Sequence, residues 1–258
     1  MNKNINRRTR REIAPAIPSA PSSSRTHSLA ERAYLEIRDQ ILKGELPVGK
    51  SLARRKLAAA LNISVPPVSE ALQRLEREGL VESKPRVGTR VRIPTRRDIE
   101  DRSQVREALE SQAARLFAAR ATAAEKKELR AMGWRVDQLY AACGKKLDDR
   151  DFLFSVNLYH MKLHLRIAEG ARCPALRDAI EKEQVLIFNW LFDTAVQRRP
   201  LASNYHAQLT DVLAHYTPAQ ADTAMRQHIR HGLNEVLAEL ARLGDGRNQT
   251  GWRHKKSR

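Results

Sequence analysis

The chain has 258 residues, of which 41% are hydrophobic and 30% charged, and its 47 Lys and Arg outnumber its 30 Asp and Glu. This composition is typical of a soluble globular protein with one large or two small domains, and no apolar run approaches the roughly 18 residues that a membrane span requires. Cys143 and Cys173 are too few for a disulfide framework or a zinc ribbon. The N-terminus lacks the apolar segment of a secretory signal, so we expect a protein of the reducing cytoplasm.

The positive charge is concentrated at the two ends of the chain. Residues 1–97 hold 21 basic and 9 acidic residues, residues 98–246 hold 21 of each, and residues 247–258 hold five basic and no acidic ones. A basic N-terminal third joined to a neutral body predicts a polyanion-binding module attached to a part that binds no polyanion. The alternative is that the basic segments only keep the protein soluble.

The N-terminal third is predicted to form a small module behind a tail. Residues 1–26 lack hydrophobic periodicity and contain three prolines, which predicts a disordered basic tail. Apolar residues then recur three or four apart in three short segments, residues 28–43, 53–61 and 64–78. Two extended pieces follow, around residues 80–83 and 89–93. Three helices and a two-stranded ribbon predict a winged helix-turn-helix over residues 27–95.

The rest of the chain carries almost no strand signal. Helices are predicted at residues 96–120, 122 onward, 148–170, 174–198, 201–216 and 217–243. Capping boxes begin the second of these at Thr122 and the last at Thr217. The predicted fold class is therefore mainly α, with an all-α bundle of six to seven helices over residues 98–243 and a basic tail over residues 244–258.

One segment matches the phosphate-binding loop G-x-x-x-x-G-K-[ST] letter for letter, from Gly44 to Ser51. That loop requires a strand before it and a helix that begins at the Lys-Ser pair. Here the preceding pattern is helical, and Pro47 removes one of the N–H donors that would hold a phosphate. We interpret the segment as a turn.

The predicted helix-turn-helix resembles the GntR family of bacterial transcription regulators. The resemblance rests on Leu57-Ala58, on Leu61-Asn62-Ile63-Ser64, on Pro67-Val68-Ser69-Glu70-Ala71-Leu72 and on Glu78-Gly79-Leu80-Val81. It implies a third helix in the major groove and a wing on the neighbouring backbone or minor groove. Where the family usually reads Ser-Arg-Thr-Pro-Val-Arg, this chain reads Ser64-Val65-Pro66-Pro67-Val68-Ser69, so both arginines are absent.

The residues assigned to DNA combine this resemblance with the distribution of basic side chains. They are Arg54, Arg55, Ser64, Val65, Pro66, Ser69, Arg74, Lys84, Arg86, Gly88 and Arg90. The alternative for each one alone is a solvated surface residue.

The predicted bundle resembles the FCD ligand-binding domain of the FadR subgroup. The matching stretches are Val105-Arg106-x-Ala108-Leu109-Glu110, Leu163-His164-Leu165-x-Ile167-Ala168-Glu169 and Pro174-Ala175-Leu176. Many members hold a metal with one Asp and three His, and His160 stands at the position of that Asp. The resemblance also implies that Arg106 binds a small carboxylate effector, whereas the alternative is that Arg106 only pairs with Glu110.

Four histidines have the spacing of a metal site. His160 and His164 are four residues apart, and so share one helix face about 6 Å from each other. His206 and His228 each lie 11 residues from Thr217, so a helical hairpin would bring them level, about 16 Å from the turn. Imidazole ligands favour a divalent transition metal, with Zn or Ni first. His215 and His231 are expected to be spectators.

These observations predict a transcription regulator and not an enzyme. We expect a homodimer that binds a pseudo-palindromic operator in double-stranded DNA, represses transcription, and responds to a small carboxylate. The resemblance implies a bacterial cytoplasm, with the protein on the nucleoid when it is bound to DNA. Two alternatives stay open, a metal-dependent hydrolase built on the four histidines and a regulator that senses the metal itself.

Overall fold

The computed structural model describes residues 28–144, 146, 149–183 and 203–244. The two predicted tails, apart from Gly244, and the second half of the helix predicted at 174–198 lie outside these residues. Within them, no helix is both long and apolar enough to cross a bilayer.

The N-terminal module contains three helices and a small sheet. Its helices are α1 (Leu29–Leu42), α2 (Arg54–Ala60) and α3 (Val65–Arg77). Its strands are β1 (Ser51–Leu52), β2 (Val81–Lys84) and β3 (Gly88–Val91), which form an antiparallel sheet in the order β1-β3-β2. The prediction of a two-stranded ribbon was therefore one strand short. β1 is only two residues long and shows no periodicity, and it is defined by its pairing with Arg90 and Thr89.

The module folds around a core of its own. Ile37 and Ile41 of α1 lie on one helix face and pack with Leu72 and Leu75 of α3, and all four are fully buried. Asn62 adopts a left-handed φ of 53° after α2, as expected for a residue that tolerates this conformation. The chain can therefore turn sharply from α2 into α3.

The second part of the described chain is entirely helical. It contains α4 (Arg96–Arg120), α5 (Ala123–Cys143), α6 (Arg150–Gly170), α7 (described over 174–183), α8 (Tyr205–His215) and α9 (Pro218–Gly244). The predicted capping box of α5 is present, since Thr122 and Glu125 bond each other's backbone N–H. Phe117, Leu163 and Met225 lie in its buried core.

The segment that imitates a phosphate-binding loop is a turn between a helix and a strand. It follows α1 directly, and Ser51 already belongs to β1. Gly44 and Gly49 have positive φ angles of 72° and 82°, and the N–H of Lys50 donates to the carbonyl of Pro47 at 2.9 Å. No helix begins at Lys50, so the geometry that holds a nucleotide phosphate is missing from this segment.

We therefore expect Lys50→Ala to leave nucleotide affinity unchanged and negligible. Isothermal calorimetry of the parent and the variant with ATP and GTP checks this. Micromolar nucleotide binding that disappears in Lys50→Ala would contradict the assignment of this segment as a turn.

Candidate metal centre and DNA-binding surface

The four predicted histidines converge in the interior of the helical part. The Nε2 atoms of His160 and His164 on α6 are 3.0 Å apart, and the Nε2 atom of His164 lies 3.2 Å from that of His228 on α9. One ring nitrogen each of His160, His206 and His228 lies within 4.8 Å of the others. The ring centroids of His206 and His228 are 5.3 Å apart, so α8 and α9 bring the two residues level, as their spacing from Thr217 predicts.

The cluster is sheltered from solvent on most sides. His164, His206 and His228 are buried, whereas His160 is half-buried. Burial lowers the pKa of His228 well below the ordinary value, and the neighbouring His164 and His206 add to this effect. His228 is therefore neutral at physiological pH, which is the form of imidazole that binds a metal.

Three of the histidines have a partner at Nδ1. Asp137 Oδ1 lies 2.7 Å from Nδ1 of His206, and the hydroxyl of Tyr140 lies 3.1 Å from Nδ1 of His160. Nδ1 of His164 contacts the carboxylate of Glu110. A carboxylate that accepts from Nδ1 leaves Nε2 with its lone pair, which orients a histidine as a metal ligand.

Asp137 also fixes the start of α8. Its carboxylate accepts from the backbone N–H groups of His206 and Ala207, both at 2.9 Å. A Cβ atom on Gly133, one turn earlier in α5, would lie 2.8 Å from the carbonyl oxygen of His206. The glycine therefore lets α5 and α8 approach closely enough for Asp137 to reach the histidine. Burial raises the pKa of Asp137, but the hydrogen bonds from His206 and Ala207 outweigh it and lower the pKa overall.

We expect Asp137→Asn to weaken metal binding by about 10–100-fold, since a carboxylate that orients a histidine ligand contributes this much. A competition titration against a chromophoric chelator measures the effect. Because folding lowers the pKa of Asp137, its ionised form stabilises the fold above the ordinary carboxyl pKa, and this contribution is lost as the pH falls.

The matched control for that substitution is Asp211→Asn. Asp211 also lies on α8, but it is half-exposed and pairs with Arg130 and His215 on the surface. Equal metal affinity in Asp137→Asn and Asp211→Asn would contradict a role for Asp137 in orienting His206.

Glu110 links Arg106 to the histidine cluster. Its carboxylate is 2% exposed, accepts from Nε of Arg106 at 2.7 Å, and contacts His164. Burial raises the pKa of Glu110, but the positive charge of Arg106 and the contacts with His164 lower it to about 2. Glu110 is therefore ionised and holds Arg106 beside the cluster, which is the pairing that the sequence left open as an alternative.

The donor set fits a transition metal. Ligand nitrogens that lie 2.0–2.1 Å from a tetrahedral ion are roughly 3.3 Å from one another, and the two Nε2 pairs at 3.0 and 3.2 Å are close to that spacing. Both of these pairs include His164. The three-histidine group of His160, His206 and His228, whose ring nitrogens lie within 4.8 Å of one another, could hold one ion.

The two histidines expected to be spectators differ from each other. His215 is exposed and pairs with Asp211 at 3.2 Å. His231 lies nearer the cluster, because Tyr205 contacts both His231 and His228, with ring centroids 5.0 and 5.3 Å away. Burial raises the pKa of Tyr205 to about 12, so its hydroxyl stays protonated.

The predicted DNA-binding residues lie mainly on exposed surface. Arg54 and Arg55 are exposed at the start of α2, and Ser64, Val65 and Pro66 are exposed at the start of α3. Ser64 occupies the N-cap position of α3, but its side chain makes no capping hydrogen bond.

Three further candidates lie at the exposed tip of the wing, where β2 turns into β3. Lys84, Arg86 and Gly88 are exposed. Arg86 has a positive φ of 62° and Gly88 one of 115°, and both conformations allow the tight turn.

Ser69, the candidate in the second turn of α3, bonds its own helix, because its hydroxyl donates to the carbonyl of Val65 at 3.1 Å.

Two arginines that were predicted to contact phosphates are engaged within the module instead. Arg74 lies 2.5 Å from Glu31 and 3.3 Å from Glu78, and its guanidinium stacks 3.6 Å from the ring centre of Tyr34. Arg90 pairs with Glu82 across the sheet at 2.6 Å and is largely buried. These side chains join α1 to α3 and β3 to β2, and their contact with phosphates stays a prediction. The sequence could not reveal partners 43 residues apart.

The comparisons with known proteins identify both parts of the chain. The family model for bacterial regulatory proteins of the gntR family matches residues 29–91, and the FCD domain model matches residues 101–231. The chain is 31% identical over 192 residues, 74% of its length and 80% of the relative's, to the "Probable D-xylose utilization operon transcriptional repressor" of Paenarthrobacter nicotinovorans. It is 27% identical over 79% of its length and 83% of the relative's to an HTH-type transcriptional regulator of Streptomyces ambofaciens.

Two solved structures share the fold. A GntR transcriptional regulator from Rhodococcus sp. RHA1 has a TM-score of 0.66 and 22% identity, over 82% of this chain and 99% of that one. McbR/YncC of E. coli has a TM-score of 0.59 and 23% identity, over 86% of this chain and 100% of that one. With both matching domains and the relatives named as regulators, the chain belongs to the GntR family of bacterial DNA-binding transcription regulators, in the FadR subgroup defined by an FCD domain, and is not an enzyme.

Proposed function

We infer that this protein is a homodimeric repressor that binds a pseudo-palindromic operator and is controlled by a small carboxylate in its helical domain. The observation that carries the proposal is a histidine cluster joined, through Glu110, to an arginine. The relative from P. nicotinovorans is named a repressor, which supports repression over activation. Residues 27–95 would bind DNA and residues 98–243 would sense the effector.

The proposed metal is a divalent transition ion, and Zn and Ni are the preferred candidates. Its proposed ligands are His160, His164, His206 and His228. When bound, such an ion supplies a Lewis acid for one oxygen of a carboxylate. Asp137, Glu110 and Tyr140 orient three of these histidines through contacts at their Nδ1 atoms. His160 is the one half-buried member, so we expect an effector to reach the ion beside it.

Arg106 is the proposed second anchor for the effector. A guanidinium binds a carboxylate through two parallel hydrogen bonds, and Arg106 already binds one through Glu110 at 2.7 Å. An effector carboxylate would compete with Glu110 for Arg106. Since Glu110 also contacts His164, this exchange would couple effector binding to the metal site.

The proposed function is tested by DNA binding of the full-length protein. Fluorescence anisotropy with fragments from upstream of its own gene should detect a specific site, and Arg55→Ala should lower the affinity and reduce the salt slope by about one per contact. Arg130→Ala is the control, because Arg130 is also an exposed arginine but lies on α5. His164→Ala should retain DNA binding.

A titration then separates an effector sensor from a sensor of the metal itself. The protein is loaded with Zn, and candidate carboxylates are added to the complex with DNA. Release by a carboxylate at constant metal supports the proposal. In a second arm, release of metal-free protein from DNA on addition of Zn, without any carboxylate, supports metal sensing. If no fragment were bound specifically, the proposed control of transcription at an operator would be contradicted.

A further inference from the structure

The first turn of α3 exposes apolar side chains and one hydroxyl. Val65 is 38% exposed, and Pro66 beside it is exposed as well. Ser64 is exposed, and its hydroxyl makes no bond to the helix start. The end of the helix that enters the major groove in a helix-turn-helix therefore presents methyl and methylene groups.

The same helix offers no cation at this end. Its first basic residue is Arg74, in the third turn, and that side chain is held by Glu31 and Glu78. Glu70, one turn after Pro66, is exposed and has only acceptor oxygens. Guanine presents two acceptors in the major groove and is read most often by Arg or Lys, and the first two turns of α3 contain neither residue.

Arg77 in the last turn of α3 is exposed, and the exposed cations predicted to contact DNA lie on other elements. Arg54 and Arg55 begin α2, while Lys84 and Arg86 lie at the wing. Contacts from these elements to phosphates position a protein on DNA but carry no sequence information. The start of α3 therefore presents mainly the apolar groups of Val65 and Pro66 to the bases, beside the hydroxyl of Ser64.

We propose that Val65 and Pro66 read the C5 methyl group of thymine, so that each operator half-site carries thymine, and not guanine, opposite the first turn of α3. Thymine is the base that presents a methyl group in the major groove, and apolar side chains recognise it by contact. The inference rests on the proposed function, because it requires a specific operator.

The experiment begins with selection of binding sites by the full-length protein from random-sequence DNA. Each thymine of the enriched half-site is then replaced by uracil, which removes only the methyl group. At the position read by Val65, the parent should lose affinity about fourfold for one half-site and about fifteenfold for both, as expected for a buried methyl-sized group. Thymines outside the half-sites are the control and should have no effect.

The Val65→Ala variant tests whether Val65 is the side chain that reads the methyl group. It should lose most of the preference for thymine over uracil, because Pro66 and the alanine methyl group retain only part of the contact. The matched control, Leu35→Ala, removes an exposed apolar side chain of the same module on α1 and should keep the full preference. The uracil series on the parent needs no variant, so the test does not depend on the folding of Val65→Ala.

Two outcomes overturn the inference while the proposed function stands. One is an enriched half-site with guanine opposite the start of α3, and the other is a preference for thymine over uracil that Val65→Ala retains or that the parent lacks at every position. A selection that enriches no sequence contradicts the proposed function itself and this inference with it.

Discussion

DNA affinity should fall by about 10³–10⁵ between 50 and 200 mM salt, as expected for a dimer that places some 6–10 cations on phosphates. The exposed basic residues of α2 and of the wing supply cations of this kind. They are Arg54, Arg55, Lys56, Lys84 and Arg86. Because Arg74 and Arg90 have intramolecular partners, we expect them to contribute little to this slope.

The measurement is a salt titration of the affinity by anisotropy, for the parent and for Arg55→Ala. Arg74→Ala is the informative contrast, since it should reduce the stability of the module and leave the salt slope nearly unchanged. An affinity that is insensitive to salt would contradict a binding surface built from these cations.

Zinc should stabilise the helical part strongly. An ion at about a thousandfold excess over its dissociation constant raises the free energy of unfolding by about 4 kcal/mol, provided that it binds only the folded chain. His206→Ala and His228→Ala should lose this stabilisation, because each removes a ring nitrogen from the three-histidine group. Thermal unfolding with zinc and with a chelator measures the difference.

The control for these variants is His215→Ala. His215 is an exposed histidine on the same helix as His206 and pairs with Asp211, so its loss should leave the zinc effect intact. A zinc effect that persists in His206→Ala and His228→Ala would contradict the cluster as the site.

The effect of zinc should also weaken in acid. Imidazole must be neutral to bind a metal, so affinity falls as the pH drops below about 6.5, the ordinary pKa of histidine. Since burial lowers the pKa of His228, this ligand stays neutral further into acid than an exposed histidine.

Long capped helices could be predicted from the sequence because their signals are local. The predicted segment 96–120 coincides with α4 (Arg96–Arg120), and the capping box at Thr122 is formed. Two residues in extended conformation, such as Ser51 and Leu52, produce no periodicity, so β1 could not be predicted. Its existence depends on the distant strand β3.

The histidine cluster was predictable for a similar reason. His160 and His164 share a helix face, and the symmetry of His206 and His228 about Thr217 needs only two straight helices. Asp137 gave no such signal, because it lies 69 residues from His206 and no repeated spacing joins them. Only packing of α5 against α8 reveals it.

The proposed metal centre is tested most directly by the amount of transition metal in protein purified without a His tag. We predict one ion per subunit in the parent and in His215→Ala after incubation with Zn or Ni and removal of the excess, and much less in His206→Ala and His228→Ala. A parent that retains no metal, or variants that retain as much as the parent, would contradict the metal centre.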